Sequence, residues 1–196
     1  MRRRTFDALV SAAGLVLAAA MLIGGGLLLW GHSFVTNEVH SQLAAQKIVF
    51  PANGNPELKA LPASDAAAMS QYAGQLMTTG AQAQTYADHF IAVHLVKIGG
   101  GKTYSQLAAA SMAQPNNTAL AGQVQTVFRG ETLRGMLLNA YGFWKMGQIM
   151  FIGAIVAFAA ACVLLILSIL GFVHMGRAAP ESEVFPKLAD RVGVNA

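Results

Sequence analysis

The stretch ALVSAAGLVLAAAMLIGGGLLLWG, Ala8 to Gly31, contains no charged side chain, and neither does MGQIMFIGAIVAFAAACVLLILSILGFV, Met146 to Val173. A bilayer hydrocarbon core is about 30 Å thick, so a helix needs roughly 20 apolar residues to cross it. Both stretches are long enough. They predict two membrane-spanning helices near the two ends of a 196-residue chain. The rest follows by subtraction: a short N-terminus (1–7), span one (8–31), an insert (32–145), span two (146–173) and a tail (174–196). The expected fold class is an all-α membrane protein, two transmembrane helices flanking one small helical extracytoplasmic domain.

Composition agrees with that plan. The chain is 55% hydrophobic and only 11% charged, against about 25% charged in an ordinary soluble domain. The net charge of +4 owes much to Arg2, Arg3 and Arg4, and the insert balances seven Lys or Arg against five Asp or Glu. No basic stripe interleaved with aromatics appears, which excludes nucleic acid as a partner. The single cysteine, Cys162, lies in span two. An intradomain disulfide, a CxxC metal site and a CxxCH haem site are therefore all excluded from the insert.

Lys and Arg near span ends set orientation. Arg2 to Arg4 precede span one; His174, Arg177, Lys187 and Arg191 follow span two. Both termini are read as cytoplasmic and the insert as extracytoplasmic, in the plasma membrane. Lys145 stands on the wrong side, but long inserts translocate largely regardless of charge. Trp30, Tyr141, Phe143 and Trp144 fall at the same expected outer interface, where amphipathic rings prefer to sit. Arg3-Arg4-Thr5-Phe6 resembles a twin-arginine signal, yet the apolar run through Leu27-Leu28-Leu29-Trp30 is too long for a signal peptide. Span one is expected to stay attached.

Within the insert, Ser33 to Ile48 reads as a helical continuation of span one. Pro51, Asn53-Gly54, Pro56 and Pro62 make 50–63 an irregular connector. Ser64 is expected to cap a helix that carries Met69, Tyr72 and Leu76 and ends near Gly80. A second helix spans about 81–98, stopped by Gly99-Gly100-Gly101. Thr103 and Gln106 form a capping box for a third. Thr118 is expected to cap a last helix, with Leu120, Val124, Val127 and Leu138 on its apolar face, that runs straight into span two. The tail after Gly176 reads as a mobile cytoplasmic end or a peptide ordered by a partner.

The candidate sites are sparse. Gly99-Gly-Gly-Lys102-Thr103 fails as a phosphate loop, because the position that must be the first glycine is Val96. His89 and His94, with Asp88 beside them, are the best metal candidates, but helical ligand pairs want four-residue spacing and these are five apart. His32 and His40 could share a face without a third ligand. No serine sits in a nucleophile elbow, and the five acids of the insert are scattered. The chain is expected to be no enzyme and to hold no cofactor or metal.

What remains points to partners. Gly153, Ala157 and Ala161 recur every four residues in span two, as Gly14 and Ala18 do in span one. Such spacing lets helix backbones approach closely. Neither span has an ionisable residue in its middle, which argues against a transporter or proton relay. Arg129 and Arg134, with Glu131 between them, form a patch suited to a partner or lipid headgroups. Partner-contact candidates are therefore Gly14, Ala18, Gly153, Ala157, Ala161, Arg129 and Arg134.

The plan, and the stretch from Lys102-Thr-Tyr-Ser to Leu133-Arg-Gly-Met-Leu-Leu-Asn-Ala-Tyr141, resemble a family of uncharacterised two-span membrane proteins of actinobacteria. That family is similar to accessory subunits found with the respiratory supercomplex of cytochrome bcc and terminal oxidase. The resemblance implies a cofactor-free accessory or assembly subunit of a larger membrane complex, contacting other membrane subunits and lipids. It carries no catalytic residue to any position here. The alternative expectation is an extracytoplasmic module that binds a lipid or small apolar ligand.

Overall fold

Uncharged helix formers without an internal proline leave nothing to stop a helix, and two long ones result. In the computed structural model, which describes residues 1–179 and 182–184, α1 runs over Arg3–Ala45 for 43 residues and α7 over Thr118–Arg177 for 60. Five shorter helices lie between: α2 (Pro56–Lys59), α3 (Ala63–Ser70), α4 (Gly80–Tyr86), α5 (Ala92–Gly99) and α6 (Tyr104–Ala113). A π-helical turn, Ala87–Ile91, joins α4 to α5. The described residues are mostly helical and contain no strand, only two isolated β-bridges. The reading of the tail falls largely on Pro180, Glu181 and 185–196, outside the described residues, as do Lys187 and Arg191.

The chain divides into a hairpin unit, Met1–Gly31 with the residues from Met150 onward, and an insert unit, His32–Ile149. In the hairpin unit α1 and α7 pack antiparallel. Ser11 faces Gly171, Gly14 faces Ser168, Gly25 faces Phe158, Gly153 faces Leu28 and Gly31 faces Met150. The buried positions repeat every seven residues: Ser11, Ala18 and Gly25 on α1, and Ala154, Ala161 and Ser168 on α7. A seven-residue seam is the pattern of a left-handed helix pair, and small residues on it bring the backbones close. The large side chains point away from the seam. Leu9, Val16, Ile23, Ile155, Val163 and Leu170 are all exposed.

The chain ends of the hairpin unit are tied by polar contacts. Arg4 Nε donates to the Ala178 carbonyl at 2.8 Å, the Arg3 amide donates to the Ser182 carbonyl at 2.9 Å, and His174 Nδ1 lies 2.9 Å from Asp7 Oδ2.

The insert unit has its own core. Val39 and Leu43 of α1 and Leu137 of α7 join Phe50, Leu58, Leu61, Met69, Met77, Ile91 and Leu95 from the segments between. Phe50 is the centre, its ring 5.3 Å from Tyr72 and 5.4 Å from Tyr86. Gly80 sits where α4 meets α7; a Cβ there would overlap the Trp144 side chain.

Local expectations are met in part. The Thr103–Gln106 capping box forms, and Gly100 ends α5 in the left-handed conformation, φ 58°. Two caps are displaced. Pro62 in extended geometry starts α3, so Ser64 is already inside the helix. Asn117 Oδ1 accepts from the Leu120 amide at 3.0 Å, so Asn117 caps α7 rather than Thr118. The helix expected to reach Gly80 stops at Ser70. The chain then turns through Gly74, φ 71°, and pairs its backbone with 48–50: the Phe50 amide donates to Gln75, and the Met77 amide to Ile48. That pairing is set by burial of Phe50, which no helical periodicity reports.

Burial also perturbs one titration. The Tyr86 phenol is pushed above its ordinary value of 10.0, first by desolvation and then by the Glu57 charge. A raised folded-state pKa means the neutral phenol is preferred by the folded unit. Its contribution is full below pH 10 and is lost as pH climbs from there through the raised value. Thermal melts at pH 8 and pH 11 should therefore show a larger alkaline loss for the native chain than for Tyr86→Phe. Equal losses would contradict the assignment.

Candidate functional site

The sequence candidates end up in separate places. The π turn adds a residue to one helical turn and re-aims the side chains around it. Asp88 accepts from Arg134 Nη2 at 3.0 Å. His89 Nδ1 lies 2.7 Å from Asp65 Oδ1. His94 Nδ1 lies 2.7 Å from the Phe90 carbonyl, with its ring 4.4 Å from the Phe90 ring. The 140° separation that an ordinary α-helix gives His89 and His94 does not apply across a π turn. Each ring nitrogen is engaged by a different partner. Among the described residues no three His, Cys, Asp or Glu side chains come together in a metal-binding arrangement.

His32 and His40 also diverge. His32 Nδ1 lies 2.9 Å from the Gly147 carbonyl, linking α1 to α7 within the insert unit, and His40 is exposed. The glycine triplet is a connector, with Gly100 and Gly101 both at positive φ. Of the arginine pair, Arg129 is exposed. Arg134 is held by Asp88 and, at 3.8 Å, by Glu131 on its own helix.

The small-residue candidates lie mostly along the α1–α7 seam. Ala18 and Ala161 lie fully buried on the α1–α7 seam. Gly14 packs on Ser168 and Gly153 on Leu28, while Ala157 is half-buried. The four-residue spacing marks part of this surface. The seven-residue series that includes Ser11, Gly25, Ala154 and Ser168 is what the helix pair uses. Because two of those six residues are serines, a search for Gly and Ala alone overlooks it.

One feature of the insert unit is only faintly marked in local sequence. A groove of about 460 Å³ lies between the 34–46 segment and residues 133–143 of α7. Val39, Leu43 and Leu137 form its buried floor. Leu133, Met136 and Phe143 line it while remaining exposed. Its rim carries Glu38, Gln42, Gln46 and Asn139, with Glu38 the only charged residue. Gln42 Nε2 donates to Glu38 Oε1 at 2.6 Å. A cavity of roughly 300–1,000 Å³, mostly apolar with a few polar groups, is the usual form of a small-molecule site. The signal in sequence was weak: Phe34, Leu133, Met136 and Phe143 are apolar residues that the core does not absorb.

Comparison with known proteins returns no match: no family model, no curated protein and no solved structure corresponds to this chain.

Proposed function

We propose that this chain is a two-span plasma-membrane protein with both termini cytoplasmic and the insert unit extracytoplasmic, acting as a non-catalytic accessory or assembly subunit of a larger membrane complex. One observation carries the reading. Of the most apolar window in each long helix, only 11% of α1 and 17% of α7 is buried. The core helix of a water-soluble protein hides such a window. Here it faces outward, where only lipid or other apolar helices would stabilise it. The orientation is supported by Arg2, Arg3, Arg4 and Arg177, which the Arg4–Ala178 and Asp7–His174 contacts gather at one end of the hairpin unit.

A pair of spans uses one seam for itself and leaves its other faces for lipid and neighbours. Neither span carries an ionisable residue in its middle, which suits packing rather than transport. The resemblance names the complex to test, the actinobacterial bcc–oxidase supercomplex. A tag on this chain, with purification in mild detergent, should recover stoichiometric partner subunits with haem absorbance. Recovery of the bare chain under conditions that preserve that supercomplex would sink the reading.

The groove supports a second reading, an extracytoplasmic module that binds an apolar ligand. Mass spectrometry of the gently purified chain discriminates: a retained ligand favours it, and an empty insert unit opposes it.

A further inference from the structure

The connector between α1 and α2 holds the chain's single Asn-Gly pair, Asn53-Gly54, and both residues are exposed. The backbone turns there. The Asn55 amide donates to the Ala52 carbonyl at 3.0 Å, and Gly54 stands at φ 87°, a conformation that favours glycine. A Cβ at Gly54 would meet nothing within 4 Å. Among the described residues, none hydrogen-bonds to the Asn53 side chain or to the Gly54 amide. An electrophilic side-chain carbonyl and a free backbone amide are therefore consecutive and open to water.

The other asparagines among the described residues each lack one of these conditions. Asn37 and Asn139 lie inside α1 and α7, where the following amide is engaged in the helical ladder. Asn55 precedes Pro56, whose nitrogen has no hydrogen to lose. Asn116 is exposed, but the amide after it donates to the Gln114 carbonyl at 2.9 Å. The Asn117 side chain is held at both ends, by the Leu120 amide and by Gln114 Oε1.

We propose that Asn53-Gly54 is a site of non-enzymatic succinimide formation, which turns Asn53 into aspartate and isoaspartate as the folded protein ages. The Gly54 nitrogen attacks Asn53 Cγ, and the new N–C bond closes a five-membered ring. The Gly54 amide proton passes to solvent base. The Cγ–Nδ2 bond breaks, and the amine takes a proton from water and leaves as ammonia. Water then opens the ring at either carbonyl, breaking that carbon's bond to the Gly54 nitrogen. Attack at Cγ gives aspartate; attack at the backbone carbonyl gives isoaspartate, whose chain runs through Cβ and Cγ. The net reaction consumes one water, releases one ammonia and needs no oxidant or reductant. It adds one negative charge to an insert that holds seven cations and five acids. Isoaspartate also lengthens by one carbon the backbone that joins buried Phe50 to buried Leu58.

The full-length chain in mild detergent is held for days at mildly alkaline pH. It is then digested briefly with trypsin under mildly acidic conditions and mapped by mass spectrometry beside a freshly purified sample. Cleavage after Lys47 and Lys59 isolates 48–59. That peptide should gain one mass unit, placed at Asn53 by fragmentation, and resolve into aspartyl and isoaspartyl forms. The rate at Asn53 should exceed that at Asn37, Asn116 and Asn139 by roughly tenfold or more, because the amides beside them must first give up a hydrogen bond. Gly54→Ala should slow conversion by roughly tenfold, since a Cβ crowds the nucleophile and disfavours the positive φ. A Trp144 unfolding curve matching the native one verifies that this variant is folded. No gain at Asn53 over a time in which the excised 48–59 peptide converts would overturn the proposal, and so would equal rates at all four asparagines. Conversion at an undiminished rate in Gly54→Ala would remove the Gly54 amide as the nucleophile.

Discussion

Phe50→Ala is expected to lower the stability of the insert unit by about 3–5 kcal/mol, the usual cost of emptying an aromatic site in a packed core. Phe50 is 1% exposed and ring-packed against Tyr72 and Tyr86. Its backbone is equally engaged, the amide donating to Gln75 and the carbonyl accepting from Gly74. Removing the ring unpins the only backbone pairing between 48–50 and 74–77 that the described residues show. Whole domains are stable by only about 5–15 kcal/mol, so the loss is a large share. Trp144, half-buried against Gly80, is the reporter. Its fluorescence should report unfolding at markedly lower denaturant for Phe50→Ala, and Phe50→Leu should recover most of the difference. A midpoint within error of the native one would show that Phe50 does not organise this core.

The second large effect lies on the seam of the hairpin unit. A Cβ added at Gly171 would overlap the Ser11 hydroxyl, and one at Gly14 would overlap that of Ser168. Gly171→Leu must therefore push the helices apart, at a cost of about 1–3 kcal/mol or more for overpacking. The readout is a cross-link. A Cβ at Gly14 lies 3.6 Å from Ser168 Cβ, within the range of about 3.5–4.5 Å that a disulfide requires. With Cys162→Ala in place, Gly14→Cys with Ser168→Cys should oxidise to an intramolecular disulfide. Gly171→Leu should slow that reaction severalfold. A pair that cross-links only between separate chains would mean that the seam belongs to an oligomer.

The parts of the fold legible in sequence were those with local physical causes. Lack of charge over 24 and 28 residues dictates long apolar helices whatever surrounds them. Thr103 with Gln106, and Gly100 after Lys97, act within one turn of the chain, and both form as read. The failures share the opposite cause. Leu76 looked helical because nothing nearby says that Phe50 will pair beside it. Asp88, His89 and His94 were placed by α-helical angles that the π turn changes. Glu131 pairs with Arg134 at 3.8 Å along its own helix, but the shorter contact, to Asp88, crosses 46 residues. The groove stayed hidden because its two walls lie almost a hundred residues apart.

Sequence by itself determined the two uncharged runs, their length against a bilayer, and the small residues within them, since each is a property of consecutive residues. It could not decide which small residues face each other. The four-residue spacing and the seven-residue seam share Ala18 and Ala161, and only the antiparallel register of α1 on α7 selects Ser11, Gly25, Ala154 and Ser168. Nor could it decide which apolar side chains the core would leave uncovered. Met136 and Leu137 are neighbours of equal apolarity, yet Leu137 is buried and Met136 lines an open groove. Consecutive helical positions point about 100° apart, so the distinction rests on where the opposing helix lies, and that is fixed by packing rather than by composition.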